Sequence, residues 1–237
     1  MLKMNRRLIA QEIAMNRKEI ASMFFPRYSG FVAAMNMNAK MRQWLNQHDN
    51  GCKFNATREI YKHVASTLPA DNCITLLEFG VFEGNSLGIF SDFNTHPDSR
   101  FVGFDTFEGL PEDWNSGWGI IEKGSYTTHG NIPQFDDSRV SCIKGYYQDV
   151  LDDFLENFCV SGQVVVHVDC DLYSSSLYVL TMLNTLKELK PLILMDDFSS
   201  PNHMFRAFDD YTSAYRVDFN YVASCGDYYN QVCVQLC

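Results

Sequence analysis

The sequence has no Cys-x-x-Cys pair, although it carries eight cysteines: Cys52, Cys73, Cys142, Cys159, Cys170, Cys225, Cys233 and Cys237. That absence argues against a structural zinc site, whose thiolates usually come in such close pairs. Several of the cysteines fall in apolar, strand-like runs, where a free thiol behaves as a small hydrophobe. Scattered cysteines of this kind point to a reducing compartment and a cytoplasmic protein. No apolar run approaches the ~20 residues of a membrane-spanning helix. The N-terminus lacks the apolar core of a secretory signal, so no membrane is expected as a partner. Basic residues are also scarce: 19 Lys and Arg against 29 Asp and Glu leave a net charge of -10. The only basic cluster (Lys3, Arg6, Arg7, Arg17, Lys18) is interrupted by Glu12 and Glu19. A nucleic-acid binder needs a basic stripe to neutralise phosphates, so nucleic acid is not expected either. There is no internal repeat and no low-complexity segment.

What is present suits a folded α/β chain. Its 237 residues are 46% hydrophobic, enough for a real core. Residues 1–67 read as a helical appendage. Leu2, Leu8, Ile9, Ile13, Ile20 and Met23 recur at three- and four-residue spacings. The stripe suggests packing on the core or on a second copy, hence a homo-oligomer. "FNATREIYKHVAST" continues the helical texture, with Asn55 or Thr57 as the expected N-cap.

From residue 68 the texture changes to strands alternating with helices. "ITLLEFG", "RFVGFD", "RVSCIKG", "QVVVHVD" and "LILMDD" read as strands. Amphipathic segments separate them, and "RVDFNYVAS" and "NQVCVQL" flank a hairpin signal at Cys225-Gly226-Asp227. This predicts a doubly wound, mostly parallel seven-stranded sheet over 68–237, closed by an antiparallel C-terminal hairpin. Residues 108–135 fit no element. A Gly-, Pro- and aromatic-rich loop of that length is usually functional. It is expected to act as a lid or substrate wall, with Trp114, Trp118, Tyr126 and His129 available for packing.

The acids gather where such a sheet binds ligands, beyond the C-terminal strand ends. Glu78 and Asp105 end the first two strands, Asp169 and Asp171 the fourth, Asp196 and Asp197 the fifth. Crowded carboxylates repel, so they imply a cation, a set of hydroxyls, or both. In "LLEFGVFEGNS", Gly80 and Gly84 allow close backbone approach, and Asn85-Ser86 open a helix whose free N–H groups favour an anion. Asp105 follows at about the spacing of a ribose-binding acid. The glycine spacing is looser than a dinucleotide fingerprint, which suits an adenosine ligand with one small anionic end. In "HVDCDLY" and "LMDDF", three carboxylates could form the oxygen-rich site that Mg²⁺ prefers, leaving a fourth as a base. The plainer reading makes Asp171 and Asp197 helix N-caps. His203 is a rival base.

"LLEFGVFEGNS", "FVGFDTFEGLPEDW", "VVHVDCDLYSSSLYVL" and "LILMDDF" together resemble the macrocin O-methyltransferase family of class I S-adenosylmethionine-dependent enzymes. The resemblance spans about Asn55 to Leu236. It implies methyl transfer to a hydroxyl of a sugar-like small molecule, with S-adenosylmethionine and Mg²⁺. By the same resemblance, Glu78, Gly80, Gly84 and Ser86 hold the methionine part and Asp105 the ribose. Asp169, Asp196 and Asp197 ligate Mg²⁺, and Asp171 is the general base. A metal-dependent hydrolase would leave the glycine turn and Asp105 unexplained. A non-catalytic binding or assembly protein would leave the aspartate cluster unexplained.

Overall fold

The computed structural model describes residues 29–67, 73–116 and 119–237. The apolar stripe expected in residues 2–23 and the side chain of Trp118 lie outside them. The chain divides into two compact units, Met1–Trp44 and Leu45–Cys237. Most of what is described of the first is helix α1 (Ser29–His48).

The second unit is built on an eight-stranded sheet. Its strands are β1 (Cys52–Phe54), β2 (Ile74–Phe79), β3 (Arg100–Asp105), β6 (Val140–Lys144), β7 (Gln163–Val168), β8 (Leu192–Met195), β9 (Phe219–Cys225) and β10 (Gln231–Leu236). A separate two-stranded ribbon, β4 (Trp114–Asn115) with β5 (Ile120–Ile121), lies in the long loop. The sheet order is β1-β9-β10-β8-β7-β2-β3-β6. Only β10 runs antiparallel to its neighbours, slotted between β8 and β9. The seven strands expected from the sequence are present. The eighth, β1, pairs with β9 inside the stretch read as wholly helical. Three largely exposed residues are too short to display an alternating pattern.

Helices α2 (Thr57–Lys62), α3 (Asn85–Phe93), α4 (Tyr147–Glu156), α5 (Tyr173–Leu183) and α6 (Met204–Tyr215) accompany the strands. The N-cap of α2 is neither Asn55 nor Thr57 but Ala56, whose carbonyl accepts from Glu59 N–H at 2.9 Å. Glu59 compensates for the missing cap side chain by reaching back to the Ala56 N–H at 3.3 Å. Strand β2 is buried along its whole length, as expected for a parallel strand covered on both faces. Its Leu76 packs with Phe90, Phe101 and Val165 in the main core cluster. All eight cysteines are free. No described helix is long and apolar enough to cross a membrane.

The connections set the position of the site. From β2 the chain steps outward through β3 to β6, then returns to lay β7 on the other side of β2. The crevice beyond the C-terminal ends of β2 and β7 is therefore the topological switch point.

Candidate active site

Three backbone hydrogen bonds extend the ladder past the strand ends and bring the acids together. Gly80 N–H donates to Phe104 O at 3.0 Å, Asp169 N–H to Phe79 O at 2.8 Å, and Asp196 N–H to Val168 O at 2.9 Å. A cavity of about 550 Å³ opens over them, within the range of small-molecule sites. Its walls are the turn Gly80–Phe82, Asp105 and Thr106, Gly109–Glu112 with Tyr126, Gly145–Gln148, Asp169–Asp171, Ser174, Ser175 and Asp197.

Of the predicted site residues, Gly80, Asp105, Asp169, Asp171 and Asp197 face this cavity. Glu78 does not. It is wholly buried, with Oε1 accepting from Ser86 Oγ–H at 2.8 Å and Oε2 lying 3.1 Å from His167 Nδ1. Ser86 therefore spends its hydroxyl on Glu78. Gly84 is the left-handed N-cap of α3 (φ +82°), and a Cβ there would stand 2.6 Å from the Phe135 ring. Its role in the turn is packing.

Asp105 ties the turn to the long loop. Oδ2 accepts from the N–H groups of Val81 and Phe82 at 2.8 and 2.9 Å, and Oδ1 from Phe107 N–H at 2.8 Å. A carboxylate has about four acceptor sites. One therefore remains for a ligand hydroxyl, fewer than the two that a ribose could use.

The four aspartates have little to offset their charge. Among the described residues, no lysine or arginine pairs with them. Nor are Asp171 and Asp197 helix caps: α5 is capped at Leu172 and α6 at His203, both without a side-chain cap bond. Desolvation, and then Asp196, holds Asp169 well above the usual carboxylate range. Desolvation, then Asp197, pushes Asp171 up to about 8, and its carboxyl shares a hydrogen bond with Asp197. Desolvation, then Asp196, raises Asp197 to about 6. Four cavity residues adopt left-handed backbone: Phe82 (φ 50°), Tyr126 (60°), Asp171 (59°) and Asp197 (47°). Such conformations are costly for non-glycine residues and concentrate at functional sites.

These shifts fix the sign of a pH effect. The folded state keeps protons on Asp171 and Asp197 above the unfolded carboxylate pKa of about 3.9, so this contribution to stability declines as pH rises from about 4 to 8. Asp171→Asn removes the largest part that carries a value. Metal-free Asp171→Asn should melt with the parent near pH 4 and several degrees above it at pH 8.5. A gap that stays constant across this range would contradict the assignment.

The 108–135 loop does form part of the wall, through Gly109–Glu112 and Tyr126. Trp114 is instead buried against Leu110, Leu172 and Ile121, and His129 does not line the cavity. His203, the rival base, has both ring nitrogens engaged away from the aspartates. Its Nδ1 accepts from Tyr173 N–H at 3.3 Å and its Nε2 lies 2.9 Å from Asn115 O, which joins α5 to the ribbon. Sequence reasoning missed Tyr146, Tyr147 and Gln148, which follow β6 at the same edge of the sheet as the acids. The strand-end rule that found the aspartates applies to "KGYYQD" as well. It also missed His167. One ring nitrogen of His167 and one carboxylate oxygen each of Asp169 and Asp196 lie within 4.8 Å of one another.

No family model matches the sequence, and no curated protein matches it. Solved structures do match. The O-methyltransferase NovP aligns with a TM-score of 0.54 and 16% identity, over 75% of this chain and 78% of that one. The calicheamicin methyltransferase CalS11 aligns at 0.51 and 18% identity, over 91% and 82%. An O-methyltransferase from Bacillus cereus, solved with S-adenosylhomocysteine, aligns at 0.51 and 14% identity, over 85% and 90%. The chain has the Rossmann-like methyltransferase fold.

Proposed function

We propose that the chain is an S-adenosylmethionine-dependent O-methyltransferase acting on a hydroxyl of a sugar or glycosylated small molecule, with a divalent cation. One observation carries the reading: a glycine turn, a strand-end acid and the aspartates Asp169, Asp171 and Asp197 meet at the switch-point cavity, with Asp196 next to Asp197 and no lysine or arginine paired with any of the four among the described residues. The sugar-like acceptor rests on the resemblance of "DCDLYSS" and "FDTFEGLP" to enzymes of that kind. The fold shared with NovP and CalS11 is consistent with it.

The turn Gly80–Phe82 and Asp105 would seat the methyl donor, with the free acceptor site of Asp105 taking a ribose hydroxyl. Glu78 and Ser86 would act beneath the turn and hold its shape. The donor set fits a cation, because raised carboxylate pKa values in a cavity that no described lysine or arginine lines are relieved by one. Asp169 and Asp196 would hold it, with Asp197 beside them. A bound cation lowers the pKa of an acceptor hydroxyl. Asp171 would remove the proton from that hydroxyl, whose oxygen then takes the methyl group from the sulfonium. The wall from Gly109 to Glu112 would limit water.

S-adenosylhomocysteine should bind the parent, and calorimetry on Asp105→Ala should show a loss of about 1.5–3 kcal/mol, the scale of a charged hydrogen bond. Asp105→Asn keeps one acceptor oxygen and should fall between the two. Unchanged affinity in Asp105→Ala would place the ribose elsewhere.

A further inference from the structure

We propose that His167 is a metal ligand. The cation site of this chain is then a mixed nitrogen–oxygen set: His167 Nε2 with one carboxylate oxygen each of Asp169 and Asp196. This rests on the cation reading above and adds to it a donor and a metal preference.

The imidazole sits in an arrangement with little other use. His167 is wholly buried, and its Nε2 has no hydrogen-bond partner. A buried polar atom left unpaired is costly and uncommon. Nδ1 is engaged, 3.1 Å from Glu78 Oε2, and Ser86 fixes Glu78 from its other oxygen. A proton on Nδ1 facing this carboxylate leaves the lone pair on Nε2. Carboxylate to Nδ1–H, with Nε2 free, is the usual outer support of a metal-bound histidine. Tyr61 and Phe90 meet the ring edge-on at 5.3 and 5.5 Å, which fixes its plane.

Strand register puts the other donors on the same face. Glu78, His167 and Leu194 are neighbours across β2, β7 and β8. Side chains two residues on share a face, so Asp169 follows His167 and Asp196 follows Leu194. Asp196 Oδ1 accepts from Asp197 N–H at 2.9 Å, which leaves Oδ2 available. One ring nitrogen of His167 and one carboxylate oxygen each of Asp169 and Asp196 lie within 4.8 Å of one another. Donors ~2.1 Å from one ion stand about 3.0–4.2 Å apart, so side-chain movements of at most about 2 Å close the set.

A nitrogen donor changes the preferred ion. Mg²⁺ favours oxygen ligands and retained waters. Imidazole suits transition-metal ions better than Mg²⁺, which carboxylates, carbonyls and water hold. The site should take Mn²⁺ at least about tenfold more tightly than Mg²⁺.

Pulsed electron paramagnetic resonance on the full chain loaded with Mn²⁺ tests this directly. A ¹⁴N coupling from a bound imidazole is expected in the parent, and its loss in His167→Gln. Calorimetry with Mn²⁺ and Mg²⁺ should show the preference in the parent and its collapse in His167→Gln. Glu78→Gln should keep the nitrogen coupling and weaken Mn²⁺ binding about 10–100-fold, through loss of the group that orients the ring. If His167→Gln does not fold, the coupling in the parent alone decides. Bound Mn²⁺ without a nitrogen coupling would overturn the proposal and leave the cation reading standing. Failure of both ions to bind would overturn both, and S-adenosylhomocysteine binding in the same sample would show whether the methyl-donor reading falls with them.

Discussion

Turnover in Asp171→Asn is expected to fall by roughly 10²–10⁴-fold, the scale of a lost general base, or about 2.7–5.5 kcal/mol of barrier. Binding of S-adenosylhomocysteine and of the cation should survive. Asp171 lines the cavity, its pKa is pushed up to about 8, and its neighbour Asp197 can share its proton. A carboxyl tuned in that direction is a stronger base than an ordinary aspartate once it is ionised. Its left-handed backbone (φ 59°) is one that asparagine also tolerates, so the substitution changes the chemistry and spares the turn. Asp169→Asn should behave differently. On the proposed cation site it would replace a charged oxygen ligand with an amide, so cation binding should weaken and part of the activity should return at high metal concentration. Added metal should not rescue Asp171→Asn. Near-normal turnover in Asp171→Asn, or loss of the cation from it, would remove Asp171 as the base. His203 would not inherit the role, because both its nitrogens are held by Tyr173 and Asn115.

The sheet was legible because its strands are short apolar runs broken by turns, and a parallel, doubly wound order follows from their alternation with helices. The positions of the aspartates followed from the same logic, since strand ends in such a sheet share one edge. The direction of each side chain was not legible. Strand β2 is buried on both faces, so its sequence carries no alternation to tell inward from outward, and Glu78 reads equally well as a cavity acid or a core one. Only register resolves this, by setting Glu78 opposite His167. His167 itself is one polar letter in "VVVHV", a run whose apolar neighbours hide it. The short edge strand β1 and the cap at Ala56 depend on tertiary pairing with β9 and on Glu59, which no local propensity reports. The role of Asp105 was half visible. Its strand-end position pointed to a ligand, whereas its three backbone donors appear only when the turn folds against it.

Gly80→Ala should cost about 3–5 kcal/mol of stability and lower the melting temperature by roughly 6–20 °C. Two effects add. Gly80 has φ +96°, in a region that costs an L-residue roughly 1–2 kcal/mol. A Cβ would also stand 1.9 Å from the carbonyl oxygen of Asp169, which is backbone and cannot swing aside as a flexible side chain could. The ends of β2 and β7 must then separate, which pulls Glu78 from His167 and displaces Asp169 at the end of β7. Cation binding should therefore weaken even in the fraction that remains folded. Gly88→Ala provides the contrast on the same segment. It lies inside α3, and its Cβ would meet only the Phe135 ring, at an ordinary 3.9 Å. Replacing a helix-interior glycine by alanine should stabilise by about 0.5–1 kcal/mol. Thermal melts of the two variants beside the parent should thus move in opposite directions. A Gly80→Ala protein that melts within about 2 °C of the parent and keeps its cation affinity would mean that the strand ends are not held together at this contact. The close approach of the turn to Asp169 would then not be what positions this carboxylate for the proposed cation.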